Sequence, residues 1–308
     1  MAYLRAFGCY VPERRVGNEE LATRTGRDVA TIEKTTGIRE RRYAADDVSV
    51  ADMGLLAAND CLSKAGITAQ EVGLILFSTG SAERCFPGPA STLAAKLGLT
   101  TTPALDLPVA SAGSLIGIAL AADLAARYSN VLVIAAEIMS RRISDAEPDT
   151  AILFGDGAGA ALVSREEGFA HIADTALFTD GNYAESLQLQ HGGTVQMKGL
   201  EVIMQASRKI PRAIADLLER NQIVPTDVGV YLMHQANVNL IRKVAATLKV
   251  PEQQFFCNIE HYGNTSSASL LIAASEWWAA GTSRVTAPLV LAAFGAGFNW
   301  GAVLALPV

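Results

Sequence analysis

A chain of 308 residues that is 50% hydrophobic, 18% charged and 6% aromatic has enough apolar content for one large or two ordinary domains, and too few charges for disorder. Its net charge of -6 at pH 7, without a basic tract, gives no electrostatic footprint for a phosphate backbone and excludes nucleic acid as a partner. The segment Met1-Ala2-Tyr3-Leu4-Arg5 lacks the apolar core of a signal peptide. Cys9, Cys61, Cys85 and Cys257 form no CxxC pair, so reduced thiols in the cytoplasm are expected.

Ser49 to Ala65 reads as a helix, opened by the capping signature Ser49-Val50-Ala51-Asp52 and stopped by Gly66. Val72 to Leu76 reads as a strand. A further strand-like run ends near Leu107, and an apolar helix follows from Leu115 to Leu124; the uncharged stretch from Leu107 to Ala122 is too short to span a bilayer. Leu132 to Ala136 is strand-like. Val202 to Leu218 carries Val202, Ile203, Ala206, Ile210, Ile214 and Leu217 on one helical stripe, and Ser266 to Ala280 is a helix apolar almost all round, ended by Gly281. Such a helix must lie between layers. From Val285 to Val308 there is no charge, a length able to cross a membrane, yet the cluster Phe294-Gly295-Ala296-Gly297-Phe298-Asn299-Trp300-Gly301 splits it. Two buried strands, Leu289 to Ala293 and Ala302 to Leu306, are expected there, and no membrane span.

The chain repeats itself at an offset of roughly 155 residues. Val72 to Leu76 resembles Val228 to Leu232, Leu132 to Ala136 resembles Leu289 to Ala293, and Ser111-Ala112-Gly113-Ser114-Leu115 resembles Ser266-Ser267-Ala268-Ser269-Leu270. Three matches in one order at nearly one spacing indicate duplication. Strands alternating with helices in each half predict an α/β fold with a mostly parallel sheet, built as two βαβ halves, residues 1–165 and 166–308, around buried helices.

Three side chains stand where chemistry is performed. Ser111 falls between a strand and a helix, where free N–H groups and the macrodipole stabilise developing negative charge; a plain N-cap serine fits the same place. Half of a GxSxG elbow is present, with Gly113 in place but Val109 where glycine belongs, which argues against a serine hydrolase of the α/β type. His234 follows a strand and precedes a helix, the usual location of catalytic groups at strand carboxyl ends, though a structural role suits it too. Asn264 offers an amide to a carbonyl oxygen, or caps a turn. Gly155-Asp156-Gly157-Ala158-Gly159 has no following lysine and reads as a tight turn between strands, not a phosphate loop. Cys257 and His261 have no second ligand pair, so no metal is expected, and His171 and His191 have no evident chemical partners.

Together, Thr36-Gly37-Ile38-Arg39-Glu40-Arg41, Phe86-Pro87, Phe154 to Ala160, His234-Gln235-Ala236-Asn237, Gly263-Asn264-Thr265-Ser266 and Phe294 to Phe298 with Trp300-Gly301 resemble the ketoacyl synthase III family of thiolase-fold condensing enzymes. The resemblance implies a thiolase-like duplicated αβαβα layered fold and a cytoplasmic homodimer. It implies an acyltransferase of fatty acid or polyketide biosynthesis that takes an acyl group from acyl-CoA or an acyl carrier protein and joins it to a decarboxylated malonyl-thioester, with no further cofactor. It also assigns His234 and Asn264 to decarboxylation, the N–H groups of Ala296 and Ser111 to the oxyanion, and Phe86, reaching into the partner subunit, to the acyl pocket with Phe294.

The chain departs from the family at the nucleophile, since Ser111 stands where the family has cysteine. A thiol titrates near pH 8.5 and becomes a thiolate at a helix N-terminus, whereas a hydroxyl needs a general base, here His234. Three accounts of this serine follow: a natural acyl acceptor, a laboratory Cys-to-Ser form of an ordinary synthase, or a non-condensing partner subunit of a heterodimer. The second departure concerns the carrier. Thr31, Thr35, Pro148 and Asn239 occupy positions where relatives place a tryptophan and arginines, which leaves Arg208, Lys209 and Arg212, or Arg242 and Lys243, as the cations for an acidic carrier.

Overall fold

The computed structural model describes residues 1–281 and 285–308. Ten strands form one sheet: β1 (Tyr3–Tyr10), β2 (Leu74–Ser78), β3 (Ala104–Leu107), β4 (Asn130–Glu137), β5 (Gly157–Ser164), β6 (Ala170–Thr179), β7 (Val230–Met233), β8 (Phe255–Phe256), β9 (Leu289–Gly295) and β10 (Asn299–Pro307). Five helices matter to the site: α1 (Val50–Ala65), α2 (Gly113–Tyr128), α3 (Gly199–Arg220), α4 (Val238–Leu248) and α5 (Ser269–Ala279).

The strand order β8-β7-β9-β10-β6-β1-β5-β4-β2-β3 has internal symmetry. In each half the order is third, second, fourth, fifth, first, with the fifth antiparallel to both its neighbours and the other four running the same way, and the two halves meet antiparallel. Within the sheet, Tyr3 paired with His171 and Leu4 with Ala170 join the halves. The expected mostly parallel sheet is therefore mixed. The cause lies in the connections: β9 reaches β10 through the short turn 296–298, and a turn that brief returns the chain antiparallel.

Alternation along the strands builds the layers. Leu74, Leu76, Val131 and Val133 from one half, with Val230, Leu232, Leu289 and Leu291 from the other, bury their side chains on α2 and α5 between them. The opposite faces pack outward, Ile75, Phe77 and Ile134 on Met53 and Ala57 of α1, and Tyr231, Met233 and Val290 on Ile210, Ile214 and Val244 of α3 and α4. This is the αβαβα layering, and all three repeat matches fall on equivalent elements: β2 with β7, β4 with β9, and the start of α2 with the start of α5.

Local readings hold where side chains decide the element. Ser49 and Asp52 make a complete capping box at α1, and Gly66 closes that helix with φ 68°. The uncharged carboxyl-terminal stretch forms β9 and β10, and among the described residues no helix is long and apolar enough to cross a membrane. Ile203, expected on the buried stripe of α3, is 43% exposed, because the first turns of that helix overhang the site instead of the sheet. Gly155-Asp156 leads from a short helix, Pro148–Ala151, straight into β5, so Gly157 to Gly159 are strand rather than turn.

Candidate active site

β3 ends at Leu107, and the chain makes a sharp turn before α2 starts at Gly113 with Ala112, not Ser111, as N-cap. Ser111 occupies the left-handed region at φ 62°, a costly conformation for a residue with a side chain. It is thus an elbow residue rather than the N-cap serine that fits the sequence equally well. A Cβ on Gly113 would lie 1.7 Å from the Ser78 hydroxyl, and one on Gly295 2.2 Å from the Ala110 carbonyl oxygen. Val109 is tolerated where an elbow usually has glycine because the close approach to the turn falls on Gly295 instead. Ser111 sits just ahead of the unpaired N–H groups of α2.

His234 follows β7, its N–H donating to the Ala292 carbonyl at 2.9 Å. Nδ1 faces the Ser269 hydroxyl at 2.6 Å, and that hydroxyl also accepts the Gln235 N–H at 3.0 Å, which leaves Nε2 as the ring edge without a side-chain partner among the described residues. Burial pulls the His234 pKa down to about 4, with a backbone hydrogen bond to Ser266 working the other way, so the ring is neutral at physiological pH. Asn264 is clamped by its backbone: its N–H donates to Leu153 and its carbonyl accepts from Gly155. Its Oδ1 accepts the Ser266 N–H at 2.9 Å, and Nδ2 makes no protein hydrogen bond among the described residues. Behind the clamp, the buried Arg41 guanidinium donates to the Ile152 carbonyl at 2.7 Å and Asn18 Oδ1 at 2.8 Å. Burial lowers its pKa to about 10.

Ser111, His234, Asn264 and Phe294 line a cavity of about 80 Å³ overhung by Val202 and Ala206 of α3. A second cavity of about 50 Å³ meets it at Ser111, walled by Met139, Phe154, Leu187, Leu189 and Val195, with Ala296 on its rim. Phe294 lies in the first cavity, with His234, not the second. Phe86 lines neither cavity and is 86% exposed. The structure thus brings Ser111, His234, Asn264 and Ala296 together, but no hydrogen bond joins His234 to Ser111 among the described residues. Of the two N–H groups expected at the oxyanion, that of Ser111 already donates to the Ser266 hydroxyl at 3.0 Å.

The cations divide. Lys209 is bound to Asp180 at 2.7 Å and lies 4.2 Å from the centre of the Trp300 ring, and Arg242 pairs with Glu252 at 3.4 Å. Lys209 is thereby largely covered, whereas Arg242 remains exposed in its pair, as does Arg212, which lies 3.6 Å from Asp216. Arg208, Arg212 and Lys243 border an open groove between α3 and α4. His191, expected to lack a partner, faces the Cys85 sulfur at 3.3 Å. Cys257 and His261 belong to no group of three metal-ligating side chains among the described residues.

Sequence reasoning missed three supporting groups. Ser266 and Ser269 hold the nucleophile turn and the histidine ring. Buried Glu137 accepts from Gly80, Ser81 and Ser267, tying the β2 and β4 ends to the Asn264 loop. Serines at a helix start read as caps, which hid the first two.

Residues 105–181 match the family model of 3-oxoacyl-[acyl-carrier-protein (ACP)] synthase III, and residues 218–306 match that of its C-terminal region. A beta-ketoacyl-[acyl-carrier-protein] synthase III of Oleidesulfovibrio alaskensis is 36% identical over 326 aligned positions, covering 98% of both chains. The chain belongs to the 3-oxoacyl-[acyl-carrier-protein] synthase III family. The crystal structure of the synthase III of Aquifex aeolicus VF5 superposes with a TM-score of 0.96 at 32% identity, covering 99% of this chain and 100% of that one. The priming beta-ketosynthase of the R1128 polyketide pathway superposes with a TM-score of 0.92 at 30% identity, covering 100% and 96%. The chain has the thiolase-like fold and is an acyl-transferring, condensing enzyme.

Proposed function

We propose that this synthase carries its acyl group as an oxygen ester on Ser111 and condenses it with a malonyl-thioester, using no metal or dissociable cofactor. The observation that carries this reading is the position of Ser111: a strained elbow at the junction of two cavities, one of which also holds neutral His234 and the free amide of Asn264. In acylation Nε2 of His234 takes the hydroxyl proton, Oγ attacks the thioester carbonyl, and the C–S bond breaks as the departing sulfur receives that proton. The apolar cavity beyond Ser111 takes the acyl chain. In condensation the malonyl carboxylate leaves as carbon dioxide, and Asn264 Nδ2, with His234 in the tautomer that carries its proton on Nε2, donates to the enolate oxygen. The carbanion attacks the ester carbonyl, the C–Oγ bond breaks, and Ser111 regains a proton drawn from solvent through His234.

The donor is an acidic carrier protein, supported by Arg208, Arg212 and Lys243 beside the groove that adjoins the site at Ile203. Thr31, Thr35, Pro148 and Asn239 bring no cation to coenzyme A phosphates. We also read the enzyme as cytoplasmic, and as a homodimer because β3 is a sheet edge carrying Leu105 at 52% exposure and exposed Phe86 lines neither site cavity. Incubation with acyl-carrier and malonyl-carrier thioesters, followed by mass spectrometry of the carrier, tests the proposal. A β-ketoacyl product that disappears in Ser111→Ala supports it; malonyl consumption without carbon–carbon bond formation in the unmodified enzyme contradicts it.

A further inference from the structure

Ser111 and Ser266 are counterparts in the duplication, 155 residues apart, each at the start of a central helix and each in the left-handed region, at φ 62° and 48°. Their contact is unequal. The Ser111 N–H donates to Ser266 Oγ at 3.0 Å, and the two hydroxyl oxygens lie 3.4 Å apart. Ser266 is 1% exposed, so a proton on its hydroxyl with no acceptor would carry the full cost of a buried, unmade hydrogen bond. Its oxygen already accepts from Ser111, and among the described residues the one acceptor within reach of its proton is Ser111 Oγ. The satisfied arrangement therefore has Ser266 donating and Ser111 accepting, which leaves the Ser111 proton free toward the cavity that holds His234.

We infer that the Ser266 hydroxyl is a catalytic hydrogen-bond donor to Ser111 Oγ, stabilising the negative charge that gathers there when Ser111 attacks and again when it departs. The inference rests on covalent acylation at Ser111. It answers the chemical difficulty of that step, because an alkoxide is a far poorer leaving group than a thiolate and needs a donor that a thiolate does not. No proton is transferred from Ser266; its O–H bond persists while the C–Oγ bond forms and later breaks. Ser266 also touches the other two site residues, its N–H bonding Asn264 and its backbone bonding His234, which fixes the donor relative to both. When the acyl oxyanion claims the Ser111 N–H, Ser266 loses that donor but keeps its own proton on Oγ.

The test compares Ser266→Ala and Ser266→Gly in the natural Ser111 protein and in Ser111→Cys. Acylation by the acetyl, butyryl and octanoyl thioesters of N-acetylcysteamine is followed by intact-mass spectrometry. Glycine suits φ 48° and removes the hydroxyl without strain, so it separates hydrogen bonding from backbone effects. With Ser111, both variants are expected to slow adduct formation about tenfold or more, the range of a hydrogen bond to a charged oxygen. With Ser111→Cys the same changes are expected to alter the rate less than about threefold, since a thiolate accepts hydrogen bonds weakly. Equal losses in both backgrounds, or a loss with alanine that glycine restores, would assign Ser266 to structure alone and overturn the inference. An adduct on the parent with unchanged rates in both variants overturns the inference and spares covalent acylation. No adduct on the folded parent overturns both.

Discussion

The residue that sets the pH behaviour of the site is His234. Its folded pKa of about 4 lies below the ordinary value of 6.5, so below pH 6.5 the unfolded chain binds a proton that the folded chain refuses. Stability from this group is complete above pH 6.5 and is lost as pH falls toward 4, by about 3 kcal/mol across that window. Denaturant titrations at pH 7 and pH 4 should show His234→Asn losing about that much less than the natural protein. The acid limb of kcat/KM should likewise lie near pH 4, and a limb near 6.5 would contradict a buried neutral base. Asn264→Ala removes the free amide, and we expect malonyl decarboxylation to fall about a hundredfold while acylation of Ser111 changes little. At this scale the sequence named the three residues that the structure brings to one cavity, but not their partners. Ser111, Asn264 and His234 stand out by neighbours in the chain, whereas Ser266 meets Ser111 across 155 residues and could be anticipated only through the repeat that pairs them.

Among the elements, β9 and the turn before α2 meet at backbone contact distance. A methyl group on Gly295 would meet the Ala110 carbonyl, so Gly295→Ala should displace the Ser111 turn, cost about 1–3 kcal/mol in unfolding experiments and abolish acylation. α3 and α4 carry the carrier groove. Reversing Arg208 and Lys243 to glutamate should raise KM for an acyl carrier protein about tenfold or more, with N-acetylcysteamine thioesters unaffected. Coenzyme A itself should bind weakly, and a low-micromolar dissociation constant by calorimetry would contradict the missing cations. Elements bounded by their own side chains were legible: the Ser49 and Asp52 box and Gly66 delimit α1 without reference to the rest of the molecule. Ile203 was not, because its exposure follows from where α3 overhangs the cavity. The partners of Lys209 were not legible for a related reason, as Asp180 and Trp300 approach it from other elements.

At the scale of the whole molecule, duplication explains both the fold and the location of chemistry. Each half supplies a strand–turn–helix junction, and the two junctions meet where α2 and α5 begin, placing Ser111 against Ser266 with His234 and Asn264 beside them. The layering was legible because helices apolar on every side must be enclosed. Strand direction was not, since it depends on the length and path of connections rather than on strand composition. Association through β3 should make the enzyme a dimer by sedimentation, and Leu105→Arg should shift it toward monomer with impaired acylation, because Phe86 then has no partner cavity. The central claim is that Ser111 accepts the acyl group. Intact-mass spectrometry with a panel of acyl-thioesters, followed by peptide mapping, should find one acyl addition on Ser111 that Ser111→Ala abolishes. A folded enzyme that gains no mass with any donor, or gains it on Cys85 or another residue, would contradict the account.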